Sequence, residues 1–451
     1  MKNFSAVILA AGPGTRMKSS LPKVMHSLSG KPLIKWVIDS VSALKPDNII
    51  LVLGHGAELV KKSLSESNIK IVYQTERLGS AHAAMQAEKV LKNYEGDILV
   101  ISADVPLIKP STLLSLINNN KKIGASITVL TAEVENPFGY GRIVKKGGIL
   151  EKIVEEKDAT PAEKHIKEIN SGIYCFDKNL WTALSKVKPD NAKKEYYITD
   201  TVSILKGFGK KVSLIAVKDN YEVKGINNRA ELSHAENILK DRKIKELLSD
   251  GVSIIDTNNV YISYDAKIGG DTVVYPGVFI DTGVSIGKSC IIKGTSYITN
   301  SKIGDASTIS YSYIEGAVIG KNAKVGPFSH IRQGSVLKEN VSIGNFSETK
   351  KAIIAKNSKA NHLSYIGDAR VGENVNIGAG TITCNYDGKK KHETIIGSGS
   401  FVGSNVNFIA PVKIGRSVLV AAGSTVTHNV PSGKLVIARA KQELKHRKID
   451  E

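Results

Sequence analysis

Cysteine is scarce in this 451-residue chain: Cys175, Cys290 and Cys384 are scattered, odd in number and form no Cys-x-x-Cys pair. That argues against a disulfide framework and for a reduced, cytoplasmic setting. Long hydrophobic runs are missing, and nothing nears the ~18–20 residues of a membrane span. The run Ala6–Ala11 is short and leads straight into Gly-Pro-Gly-Thr-Arg, which reads as a strand feeding a loop rather than a signal peptide. Glycine, 40 residues, has no three-residue period, which excludes collagen. Aromatics are only 6%, few interleave with basic residues and no basic tail exists, so a nucleic-acid binder is disfavoured. The net charge of +19 is instead spread over both halves, as in a protein handling polyanionic small molecules. With 41% hydrophobic and 23% charged residues the chain can pack cores, and at ~150 residues per domain it holds two to three.

Two sequence grammars meet near residue 228. Before it, apolar segments at Val7–Ala10, Ile49–Leu53, Ile69–Tyr73, Ile98–Ser102 and Ile127–Thr131 alternate with amphipathic stretches such as Pro32–Leu44 and Ser80–Leu91. That alternation predicts a mostly parallel, Rossmann-like α/β sheet with helices on both faces. Residues 228–250 turn helical, with Leu232, Ala235, Leu239, Leu247 and Leu248 on helical spacing and Gly251 as a terminator. Beyond 251, apolar residues stand six apart: Ile268, Val274, Ile280, Ile286, Ile292, Ile298, and later Ile396, Val402, Phe408, Ile414, Val420, Val426. Neither a helix nor an ordinary strand has that period, whereas the hexapeptide coils of a parallel β-helix do. Stacked coils bury a column that no single coil could shield. Between Thr383 and Ile396 the step is thirteen, so Cys384–Glu393 must leave the prism as a loop.

Two N-terminal elements suggest nucleotide chemistry. In VILAAGPGTRMKSSLPK a strand enters a Gly-rich loop with Arg16 and Lys23 close behind, where small residues and a following helix N-terminus would suit phosphate. Gly12-x-Gly14 alone is equally a plain strand–turn: Met17 stands where a dinucleotide fingerprint needs glycine, and the Walker pattern is absent. In ILVISADVPL, Asp104 falls at the carboxyl end of a buried strand, the ligand-binding edge of open α/β sheets. A carboxylate there suits Mg²⁺, and serves equally as a simple cap.

Leu9 to Lys23 resembles the opening of the sugar-nucleotide pyrophosphorylases. Joined to QTERLGSAHA, GYGRI, IVEEKDAT, EINSGIY, GINNR and the hexapeptide repeats, the resemblance extends along nearly the whole chain. It is to the bifunctional N-acetylglucosamine-1-phosphate uridylyltransferase / glucosamine-1-phosphate N-acetyltransferase family of bacterial cell-wall precursor synthesis. The resemblance implies a uridylyltransferase domain (1–227), a linker helix (228–250) and a left-handed β-helix acetyltransferase domain (251–451), assembled as a homotrimer. It implies that Leu9, Ala10, Ala11, Gly12, Gln74, Gly79, Ser80, Ser102, Ala103 and Asp104 hold UTP. Gly141, Glu155 and Asn170 would meet the N-acetylglucosamine moiety, Asp104 and Asn227 would bind Mg²⁺, and Arg16 and Lys23 would neutralise phosphate. The departure Ser102-Ala103, where many relatives carry Tyr-Gly, touches nucleotide contacts rather than the metal.

Among the β-helix histidines, His330, His362, His392 and His428, each alone reads as an exposed surface residue. KANHLSYIGDARVGENVNIGAGTITCNYDG resembles the family's acetyltransferase site and singles out His362 as general base. An imidazole, with a reference pKa of ~6.5, is mostly neutral at slightly alkaline pH and can take an ammonium proton. By the same resemblance Arg332, Lys350, Tyr365 and Asn376 bind the amino-sugar phosphate. Ala379, Asn385, Tyr386, Ser404, Ala422 and Arg439 hold acetyl-CoA, and the looped-out Asn385–Tyr386 completes a neighbouring subunit's site. The alternative is a single-activity pyrophosphorylase with a structural or regulatory β-helix.

Overall fold

The structure, a computed structural model, describes residues 3–64 and 68–445. The chain divides into two compact units, Met1–Asn237 and Ile238–Glu451.

The first unit is built on one twisted sheet. Its main path runs Val212–Ala216, Ile127–Glu133, Glu168–Phe176, Asp97–Ser102, Phe4–Ala10, Asn48–Leu53, Ile69–Tyr73. Alternation along the first strand explains the layering. Phe4, Ala6, Ile8 and Ala10 pack on one side with Val37 and Leu116 from helices Leu33–Ser42 and Pro110–Ile123. Val7 faces the other, with Ala84, Leu184 and Val202 from helices Ser80–Met85, Leu180–Leu184 and Asp200–Gly207.

The expected parallel order has one exception. Glu168–Phe176 runs antiparallel to both its neighbours, and it carries an outlying hairpin, Arg142–Lys146 with Ile149–Val154. The sequence held the hairpin's signal in Gly147-Gly148, both in the positive-φ conformation a two-residue turn requires. The stretch read as one helix over Ser80–Leu91 is two, Ser80–Met85 and Glu88–Leu91.

A helix runs Arg229–Ser249, and the division between units falls inside it. Its first turns are tied to the first unit: the Asn227 and Ser29 N–H groups donate to Glu231 (2.6 Å) and Glu236 (2.7 Å).

The second unit is a three-sided parallel β-helix with sheets of eleven, ten and nine short strands. Each strand pairs with the strand three further on, so inward residues stack directly: Val274, Ile292, Ile309, Val325, Ile343, Ala360, Ile377, Val402 and Val420 on the first sheet. All belong to one continuous core. Corner length follows backbone conformation. Most six-residue steps put the third residue after the inward one in the left-handed region, as at Asn340, Asn357 and Asn374, whose side chains bond in a ladder (2.9 and 3.1 Å). Five-residue steps put the second residue there, as at Asn300, Lys351 and Asp368. Asn and Asp tolerate this region better than other side chains. On the second sheet's outward face Tyr261, Phe279, Tyr297 and Tyr313 stack at centroid spacings of 4.3, 5.0 and 4.9 Å, adding cross-strand adhesion.

Candidate functional sites

The first unit opens a cavity of about 420 Å³ at the carboxyl ends of its central strands. Of the sequence-predicted residues, Leu9, Ala10, Ala11, Gly12, Lys23, Gln74, Gly79, Ser80, Ser102, Asp104, Glu155 and Asn170 line it. Gly79 is required: at φ +112°, an added Cβ would lie 2.5 Å from the Tyr196 carbonyl. Gln74 donates to the Gly79 carbonyl (3.1 Å), fixing this rim.

Two expectations need correction. No regular helix follows the Gly-rich loop, only a single 3-10 turn at Thr15–Met17, so a helix dipole contributes nothing at this end. Ala103 is fully buried in the core and its N–H is spent on the Leu9 carbonyl (2.9 Å), so neither its side chain nor its N–H reaches a ligand. Ser102 instead bonds the Asp104 carboxylate. The sequence reading also missed Arg77, a cation on the cavity wall that was visible within QTERLGSAHA.

At one side of the cavity the chain gathers charge. Lys23 forms an ion pair with Asp104 and donates to Asn227 Oδ1 (3.2 Å), while Arg16 donates to the same oxygen (2.8 Å). Burial alone would raise the Asp104 pKa, but the Lys23 ammonium overrides it and holds the carboxyl below the usual range. Ile226 N–H bonds the Asp104 carbonyl (2.8 Å), laying Asn227 beside the aspartate. The carboxylate and the amide oxygen thus already converge on one cation, the Lys23 ammonium. A hard, all-oxygen donor pair of this kind fits Mg²⁺ completed by phosphate and water.

Glu155 and Asn170 line the cavity, and Gly141 does not reach its surface but packs against both. Asn170 N–H bonds the Gly141 carbonyl (2.8 Å), its amide donates to the Tyr174 hydroxyl (2.7 Å), and Thr199 donates to Glu155 (3.3 Å). Burial raises the Glu155 pKa. Nearby, burial and then the Asp158 charge push Asp200 up to about 6. A raised folded-state pKa stabilises the fold below the unfolded value of ~3.9, and the benefit is lost as pH rises through 6. Asp200→Asn should therefore raise the melting temperature at pH 8, by the equivalent of ~1 kcal/mol after allowing for solvent screening, and leave it nearly unchanged at pH 3.5. Calorimetry at the two pH values checks this.

On the β-helix, register sorts the remaining candidates into two rows. His362, Ala379, Ser404 and Ala422 each stand two residues beyond a stacked inward residue of the first sheet, Ala360, Ile377, Val402 and Val420. At ~4.8 Å per rung they form one row about 14 Å long with His362 at its end. Arg439 donates to the Ala422 carbonyl (2.7 Å) at the other end. Asn376 lies on the same sheet.

Arg332, Lys350 and Tyr365 belong to the second sheet. Arg332 donates to Glu348 (2.7 Å). The looped-out segment folds back here. Asn385 is buried, donates to Asp368 and lies 3.5 Å from the Tyr365 hydroxyl, whereas Tyr386 is 61% exposed. Asp387 ties the loop by accepting from the Lys389 and Lys390 N–H groups (2.7 and 2.6 Å). That turn brings Lys391, which the sequence reading did not single out, within hydrogen-bonding reach of Lys350. Lys391, with Arg332 behind it, lowers the Lys350 pKa. Three cations at one spot suit a phosphate dianion.

A MobA-like NTP transferase domain matches residues 6–195, a GMPPB C-terminal domain residues 256–346 and a bacterial transferase hexapeptide (six repeats) residues 393–428. The bifunctional protein GlmU of Geotalea uraniireducens (strain Rf4) is 48% identical over 98% of each chain. The chain belongs to the bifunctional GlmU family. Other members are those of Geobacillus sp. (strain WCH70), 48% identical over 99% of this chain and 97% of that one, and Caldicellulosiruptor saccharolyticus, 49% over 98% and 96%. The protein is accordingly a multifunctional enzyme joining nucleotidyltransferase and hexapeptide acyltransferase parts. Among the described residues no helix is long and apolar enough to cross a membrane.

Proposed function

We propose that the β-helix acetylates glucosamine 1-phosphate from acetyl-CoA and that the first unit converts the product to UDP-N-acetylglucosamine with UTP, in the cytoplasm. The observation that carries this reading is the row His362–Ala379–Ser404–Ala422. Its three small residues leave a shallow track for an extended thioester-bearing chain, and the track ends at a base. In acetyl transfer the amine loses a proton to His362 and attacks the thioester carbonyl. The C–S bond breaks, and the coenzyme thiolate leaves and takes up a proton. Arg332, Lys350 and Lys391 hold the sugar's phosphate.

In the first unit a phosphate oxygen of N-acetylglucosamine 1-phosphate attacks the α-phosphorus of UTP, and the bond to pyrophosphate breaks. Mg²⁺ held by Asp104 and Asn227 supplies positive charge to the phosphates. Arg16 and Lys23 add to it, while Glu155 and Asn170, with Gly141 packed against them, orient the sugar.

Arg332, Lys350 and Tyr365 stand on a different sheet from the His362 row, whose sheet carries Asn376, an arrangement that suits a site completed by a second chain. That supports the homotrimer, with the exposed Tyr386 serving a neighbour. The whole chain, given acetyl-CoA, glucosamine 1-phosphate, UTP and Mg²⁺, should release coenzyme A and form UDP-N-acetylglucosamine while sedimenting at three chain masses. UDP-N-acetylglucosamine formed only from preformed N-acetylglucosamine 1-phosphate, without coenzyme A release, would make the β-helix structural. An active monomer would remove the shared site.

A further inference from the structure

On the first sheet the strands are two or three residues long except for two, Ser342–Asn345 and Lys359–His362, which have four. These two pair with each other, and the added residues put Asn345 directly opposite His362. Gly344 makes the extension possible: a Cβ there would lie 2.0 Å from the Asn361 carbonyl oxygen, so only glycine lets the strands close at this rung. The result is a side-chain contact, Asn345 Oδ1 to His362 Nδ1 at 2.9 Å. The next residue along the row is Ala379, and His362 is exposed.

We propose that Asn345 is a positioning residue for acetyl transfer, an inference that rests on His362 being the base. An amide oxygen can only accept, so Nδ1 carries the ring proton and the lone pair sits on Nε2. The partner is neutral. It fixes tautomer and ring orientation without the charge of a carboxylate, which would hold the transferred proton more firmly. The adjoining strand thus delivers the base in its accepting form before substrate arrives.

Steady-state acetyl transfer by the whole enzyme tests this with Asn345→Ala, Asn345→Asp and His362→Ala measured together. Asn345→Ala removes the acceptor and should lower kcat by ~10–100-fold, the usual cost of losing an orienting partner of a functional histidine. KM for both substrates should stay within about twofold. Asn345→Asp, which keeps an acceptor oxygen in place, should recover most of the lost kcat. In the double variant Asn345→Ala/His362→Ala the two losses should not add. Asn345→Ala with kcat within twofold of wild type, beside a collapsed His362→Ala, overturns the inference and leaves the base intact. His362→Ala with near-normal kcat overturns the underlying reading instead. Should Asn345→Ala lower the melting temperature, Asn345→Ser takes its place under the same criteria.

Discussion

Asp104→Asn should abolish most uridylyl transfer, lowering kcat by at least ~10²–10³-fold, while acetyl transfer stays at the wild-type rate. The substitution keeps size and one oxygen but removes the carboxylate that pairs with Lys23 where Lys23, Arg16 and Asn227 meet. Two consequences act together. The proposed Mg²⁺ site would lose its anionic donor, leaving phosphate charge in the transition state less neutralised. Lys23 also loses the partner that holds it at the cavity edge. Because Lys23 keeps Asp104 ionised well below neutrality, wild-type uridylyl transfer should show no acid limb from this carboxyl between pH 6 and 9. Higher Mg²⁺ should restore part of the lost rate if metal affinity is the main defect. Parallel loss of both activities would indicate instead that the substitution unfolds the chain.

The β-helix was legible because its period is enforced by geometry. Each inward residue must stack on the one a full coil earlier, so Ile292, Ile309 and Val325 announce themselves by spacing and chemistry together. Where a step is five residues, the left-handed residues at Asn300 and Asp368 explain how the shorter corner still closes. The antiparallel strand Glu168–Phe176 was not legible, because a strand buried on both faces has the same composition in either direction.

The site divides in the same way. Residues on the Gly-rich loop and after the central strands were found because motif and strand end coincide. Ala103 was included because the resemblance carries over the whole segment Ser102-Ala103-Asp104, and period-two geometry turns it into the core between Ser102 and Asp104. Lys391 and Asn345 were missed because their partners lie many residues away, and only loop closure and rung register bring them together.

His362→Ala should lower acetyl-transfer kcat by ~10²–10⁴-fold, the span expected on losing a general base, and leave uridylyl transfer untouched. Glucosamine's amine is largely protonated near neutrality, and only the free amine can attack a thioester. With the Nδ1 side of the ring engaged by Asn345, Nε2 is the atom available for that proton. Acetyl-CoA binding should change little, since Ala379, Ser404, Ala422 and Arg439 lie further along the row than the imidazole. His428→Ala is the matched control: its ring bonds only the adjacent Thr427 hydroxyl (2.9 Å) and stands on another sheet, so activity should persist. His330→Ala should also keep substantial activity, because that ring faces Tyr313 and Glu315 rather than the row. Near-normal kcat in His362→Ala would mean that another group, or water, accepts the proton.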